Sequence, residues 1–149
     1  MKDKYSDKNN LALDTWIKLA RSHSVVYKKT NEDIRNYGLT LPQFGVIEAI
    51  GHLGPLKVGE LCRKMLVTGG NMTLVLDNLE RNELIERTFS KNDRRAIVIN
   101  LSEKGKRLFD EIFIQHAEFI GDLFSVLTQN EQKQLGTLLK KLGLGIQNL

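Results

Sequence analysis

The sequence predicts a mainly α chain carrying a small β-hairpin, an α+β arrangement. Three observations predict it. Two short, one-sided apolar patterns meet across a glycine-bearing turn at residues 67–70. The apolar period then switches from three-and-four to two over residues 85–101, and long helical patterns enclose both. Together these give a winged helix-turn-helix flanked by long N- and C-terminal helices.

Residues 10–36 read as a helix. Leu11, Trp16, Leu19, Ala20, Val26 and Tyr27 recur at three- and four-residue spacings without Pro or Gly, and Gly38 ends the run. Thr40-Leu41-Pro42-Gln43 is a capping box, with Pro in the first turn where its missing N–H costs nothing. The helix it opens runs through Phe44, Ile47 and Ile50 and stops at Gly54-Pro55. Val58, Leu61, Cys62, Met65 and Leu66 form a one-sided helix of about three turns. The turn Val67-Thr68-Gly69-Gly70 leads into another, with Met72, Val75, Leu76 and Leu79 on its buried face. Ile85, Arg87 and Phe89 then share one face of a strand, and Ile97, Ile99 and Leu101 one face of its partner, with residues 90–95 as the hairpin loop. Ser102 caps a long helix through Leu108, Ile112, Phe119, Leu123 and Leu127. Thr128-Gln129-Asn130-Glu131 is a second capping box and opens a last helix with Leu135, Leu138, Leu139 and Leu142, ended by Gly143.

Residues 108–127 also contain Phe109, Phe113, Ile114, Ala117, Ile120 and Phe124, more apolar surface than one helix face needs. Such a helix must be covered, by a larger internal core or by a second subunit; the subunit interface is preferred here. Residues 1–149 then form one domain, with long helices at 10–38 and 106–149 around the winged-helix lobe 40–105.

With 149 residues, 41% hydrophobic and 27% charged, the chain has the balance of one soluble globular domain. No apolar run approaches the roughly 18–20 residues that span a bilayer, so no membrane partner is expected. The polar start MKDKYSDKNN lacks an apolar signal core, and the single Cys62 cannot close an internal disulfide. Both point to the cytoplasm. The net charge of +4 is uneven: residues 56–107 hold eleven Lys/Arg against seven Asp/Glu, whereas residues 108–149 hold three against five. A basic middle fits a polyanion partner, although a solvated charged surface carries the same imbalance. His23, His52 and His116 lie far apart, with no cluster at metal-ligand spacing. There is no nucleotide loop and no catalytic set, so neither a metal, a cofactor nor an enzyme is expected.

Several motifs, in order, resemble the MarR family of bacterial and archaeal winged-helix transcription regulators over nearly the whole chain. The most specific is Asp93-x-Arg95 followed by Leu101-Ser102-x-x-Gly105, the wing running into the next helix. Leu41-x-Gln43-Phe44, Gly54-Pro55-Leu56-x-Val58-x-Glu60-Leu61, Gly70-Asn71-Met72-Thr73 and Leu79-Glu80-x-x-x-Leu84-Ile85-x-Arg87 support it. The resemblance implies a homodimer joined by its N- and C-terminal helices, with 10–38 and 106–149 as dimerisation helices and 40–105 as the DNA-binding lobe, that binds double-stranded DNA at a pseudo-palindromic operator and usually represses. Such regulators commonly release DNA when a small aromatic or lipophilic molecule binds or a cysteine is oxidised. The sequence looks most similar to members from Gram-positive bacteria, some of which respond to quinone-type or other electrophilic stress.

In a helix-turn-helix the N-terminal part of the second helix meets base edges. With Met72, Val75, Leu76 and Leu79 inward, a 100° step places Gly70, Leu74, Asp77 and Arg81 outward, flanked by Asn71, Thr73 and Asn78. The DNA-binding candidates are therefore Thr68 in the turn, Gly70, Asn71, Thr73, Leu74 and Asn78. In the wing they are Lys91, Asp93, Arg94 and Arg95, with Arg63 and Lys64 as phosphate neighbours. Leu74 is either a thymine-methyl contact or a stray exposed leucine. By family resemblance Arg95 enters the minor groove with Asp93 holding it, and Arg94 meets phosphate or exchanges roles with it.

The chain departs from the family pattern at three places. Neither Lys57 nor Gly59 offers a capping oxygen where a hydroxyl residue often stands. Gly69 replaces a common Ser. Glu83 stands where a glycine commonly follows the recognition helix, so Asn82 is expected to take the left-handed conformation. Trp16, His23, Tyr27, Phe44 and Phe113 are candidate effector-pocket residues, and each also reads as ordinary packing. Cys62 reads as core, with redox sensing as the minority alternative. The alternative to a DNA-binding regulator is a winged-helix protein-interaction module without sequence-specific DNA binding.

Overall fold

The computed structural model describes residues 6–65, 69–89 and 96–147. Helix α1 (Asp7–Asn36) starts three residues before the apolar pattern does, because the Ser6 hydroxyl accepts the Asn9 N–H and caps it. Gly38, at φ +73°, turns the chain out of α1. The expected capping box opens α2 (Leu41–Leu53): Gln43 N–H donates to Thr40 Oγ1, and Thr40 N–H to Gln43 Oε1 at 2.8 Å. A two-residue strand β1 (Leu56–Lys57), which periodicity is too short to reveal, precedes α3 (Val58–Met65). Helix α3 has no hydroxyl cap. Instead the Glu60 carboxylate reaches back and accepts the Lys57 N–H at 2.8 Å, half of a capping box.

Helix α4 (Gly69–Arg81), strands β2 (Ile85–Phe89) and β3 (Ile97–Leu101), and helices α5 (Glu103–Phe124) and α6 (Gln129–Gln147) complete the fold. Gly69 and Gly70 belong to the first turn of α4 rather than to the preceding turn, and the Gly69 carbonyl accepts the Thr73 hydroxyl. Leu66, expected in the helix before it, and Val67 and Thr68 of the turn lie outside the described residues. The sheet is antiparallel in the order β1-β3-β2, with Ile85 opposite Leu101, Arg87 opposite Ile99, and Leu56 opposite Ile99 on the other edge. Helix α5 stops at Phe124 rather than Leu127, and α6 passes through Gly143, so that glycine ends nothing.

The left-handed residue after α4 is Glu83 (φ +60°), not Asn82. Leu79 and Leu84 are both buried, and Leu84 N–H must reach the Leu79 carbonyl at 2.9 Å while Glu83 N–H reaches Glu80. That five-residue span fixes which residue inverts, whatever its side chain.

The core fills the space between α2, α3, α4 and the sheet, with Ile47, Leu61, Met72, Leu76, Leu79 and Ile99 at its centre. Each such side chain contributes about 1.5–3 kcal/mol by leaving water. Ile34 is the one buried residue of α1, and Ile112 and His116 anchor α5. No described side chain of α6 is buried. Among the described residues no helix is long and apolar enough to cross a membrane.

Candidate functional site

Helix α4 buries Met72, Leu76 and Leu79 and half-buries Val75, which turns Gly70, Asn71, Thr73 and Leu74 outward. Leu74 is 65% exposed, far from any core role. Asn78 is less free than its position suggests, since its Oδ1 accepts from Arg81 at 3.0 Å. Asp77 is engaged too. Arg87 on β2 donates to Asp77 Oδ1 at 2.5 Å and lies 3.4 Å from Glu80 Oε2.

The sequence marks Arg87 as a strand residue and as part of a family motif, but not as a partner of α4. The signal was present: an arginine between Ile85 and Phe89 on the core-facing side of a strand needs an anion. Its partners are the two carboxylates of α4, whose charge the guanidinium offsets while it ties α4 to the hairpin.

Arg63 and Lys64 are exposed at the end of α3. A cleft of about 520 Å³ runs between α3, α4 and the hairpin, with Lys57, Arg63, Thr73 and Arg87 on its walls. The described ladder ends at the pair Phe89–Ile97, both exposed. Thr68 and the wing residues Lys91, Asp93, Arg94 and Arg95 lie outside the described residues.

The five effector candidates fall in three places. Trp16 (64% exposed), His23 and Tyr27 lie on the open side of α1, the last two with ring centroids 5.8 Å apart. Phe44 is buried against His116, 4.5 Å between centroids. Phe113 packs with His52 (4.3 Å) and Phe109 (5.3 Å). Phe44 and His116 border a cavity of about 370 Å³ between α1, α2 and α5, with Thr30, Ile34 and Met65 of α3.

Sequence reasoning also missed the polar centre beside that cavity. His116 Nδ1 lies 2.7 Å from Asp33 Oδ2, both side chains nearly buried, and the Tyr37 hydroxyl donates to Asp33 Oδ1 at 3.2 Å. Burial raises the Tyr37 phenol above its ordinary range, helped by the adjacent Asp33 charge and hydrogen bond. Cys62 is half-buried and packs against the core cluster. Among the described residues no group of three or more His, Cys, Asp or Glu could hold a metal ion.

The MarR family model matches residues 39–97, the lobe that contains this surface. The transcriptional regulator YkoM of Bacillus subtilis is 34% identical over 93% of this chain and 90% of its own length. The chain belongs to the MarR family. The regulator MhqR of the same bacterium is likewise 34% identical, over 89% of this chain and 92% of its own. The crystal structure of a MepR-like protein complexed with pseudoligands superposes with a TM-score of 0.66 at 34% identity, over 89% of this chain and 94% of that one. As a MarR-family member with a winged helix-turn-helix, the protein is a DNA-binding transcription regulator and not an enzyme.

Proposed function

We propose that this regulator is a homodimeric repressor that reads a pseudo-palindromic operator in the cytoplasm, nucleoid-associated while bound. The first turns of α4 lie in the major groove, Arg95 enters the adjacent minor groove, and Arg94, Lys91, Arg63 and Lys64 meet phosphates. The observation that carries the reading is the outward face of α4. Asn71, Thr73 and Leu74 are exposed on a helix whose opposite side is fully packed, beside a basic α3 and a hairpin fastened by Arg87.

The dimer is supported by surface that one chain cannot cover. Leu11, Trp16 and Val25 on α1, and Leu138, Leu142 and Ile146 on α6, are all exposed. Two helices with open apolar stripes at the chain's ends are covered by the same helices of a second copy. The residues 10–38 and 106–149 thus serve dimerisation and 40–105 serves DNA. Release follows from a small aromatic, lipophilic or electrophilic effector, and the mostly apolar cavity that Phe44 and His116 border suits its ring. Trp16, His23, Tyr27 and Phe113 contribute only if the partner copy brings them near. Cys62 serves packing.

The test is selection of bound genomic fragments, followed by titration of the recovered operator over a range of salt. Affinity should fall steeply with salt. Arg95→Ala should remain a folded dimer yet lose about tenfold or more in affinity, with a salt slope shallower by about one. Wild-type binding by Arg95→Ala would remove the wing from the reading, and binding without sequence preference would remove the regulator's operator.

A further inference from the structure

We propose that Ser102 is a positioning residue for DNA binding: with the first turn of α5 it holds the exit of α4, and so sets the separation of the two recognition helices in the dimer. The inference rests on the dimeric reading above.

The last carbonyls of a helix and those just beyond it lack intrahelical donors. After α4 they are not left to water. Ser102 Oγ donates to the Glu83 carbonyl at 2.6 Å, Lys104 Nζ donates to the Asn82 carbonyl at 2.9 Å, and Ser102 N–H donates to the Leu84 carbonyl at 3.1 Å. The same Ser102 oxygen accepts the Gly105 N–H at 2.9 Å, so one hydroxyl both caps α5 and grips the α4 exit. Gly105 is buried, and a Cβ there would overlap the Leu84 carbonyl oxygen. The α5 backbone therefore lies directly on the turn that follows α4, and that turn cannot move toward α5.

Helix α5 belongs to the body that the dimer holds, so this joint passes the dimer's geometry to α4. A two-fold dimer reads two half-sites whose spacing must match the DNA repeat. One added base pair displaces a half-site by about 3.4 Å along the axis and rotates it by about a tenth of a turn. A stiff joint makes that mismatch costly, and a loose one lets α4 follow.

The experiment uses the full chain, the recovered operator, the same operator with one base pair added or removed between half-sites, and a single half-site, all read by fluorescence anisotropy. Ser102→Asp keeps the cap, since aspartate accepts the Gly105 N–H, but cannot donate to Glu83. Ser102→Thr keeps both bonds. Lys104→Met removes the second tether and leaves the cap intact. Wild type and Ser102→Thr should discriminate against altered spacing. Ser102→Asp and Lys104→Met should lower that discrimination about two- to tenfold, the worth of one lost hydrogen bond, with half-site affinity unchanged. Simple loss of folded protein would weaken all sites by one factor and leave the ratio alone. A wild-type ratio in both variants overturns the proposal while the dimer stands. A wild type indifferent to spacing overturns the proposal and the dimeric reading together.

Discussion

Glu83→Gly should stabilise this protein. Glu83 sits at φ +60°, where the Cβ of an L residue costs about 1–2 kcal/mol. Glycine removes that cost but returns about 0.5–1 kcal/mol through its freer unfolded chain. The lost side chain matters little: its carboxylate is 3.7 Å from Lys104 Nζ and 82% exposed, so the ion pair contributes close to nothing. The backbone bonds that shape the turn, Glu83 to Glu80 and Leu84 to Leu79, survive the change. The net gain is about 0.5–1 kcal/mol, or a Tm higher by about 1–4 °C for a chain of this size. Far-ultraviolet circular dichroism melts read it, at one fixed protein concentration because an oligomer's Tm moves with concentration. Glu83→Asn should fall between, and Glu83→Ala should gain nothing, since alanine keeps the Cβ. A glycine variant that melts at or below wild type, or an alanine variant that matches it, would refute the strain argument.

Two further substitutions probe the lobe's attachment to the long helices. Gly51→Ala places a Cβ into the Phe109 ring and should cost about 1–3 kcal/mol, read as a lower urea midpoint and partly recovered by adding Phe109→Leu. Asp33→Ala strips both His116 and Tyr37 of their acceptor and should cost about 1–3 kcal/mol. It should also lower the Tyr37 phenol titration followed by absorbance, whereas Asp33→Asn, which keeps an acceptor, should recover stability but not the charge effect.

What could be read from the sequence was local. The Thr40–Gln43 and Thr128–Glu131 boxes and the Ser102 cap span four residues each, and all three form. The inward residues of α4 followed from a 3.6-residue period alone. Strand β1 could not be read, because it exists only through pairing with β3, some forty residues away. Glu83 could not either: tolerance of the left-handed region favours Asn, but the packing of Leu79 and Leu84 chose the position. The Asp33–His116 pair joins residues 83 apart, and nothing in either's neighbourhood announces the other. The aromatic effector candidates show the same limit. Periodicity says which face a ring occupies, not which ring it meets.

Helix α5 is where these non-local contacts converge. Its Gly105 seats the α4 exit, its Phe109 closes on Gly51 of α2, and its His116 meets Asp33 of α1. Those three points span eleven residues, about 16 Å of helix. A shift of α5 along its axis breaks the Ser102 and Lys104 bonds to the turn, at about 0.5–1.5 kcal/mol for each, or carries the α4 exit with it. On the proposed reading, an effector in the cavity that Phe44 and His116 border acts on the same helix that seats the α4 exit. A ligand on the far side of α3 would act on α4 through the direct packing of those two helices instead, without passing through α5.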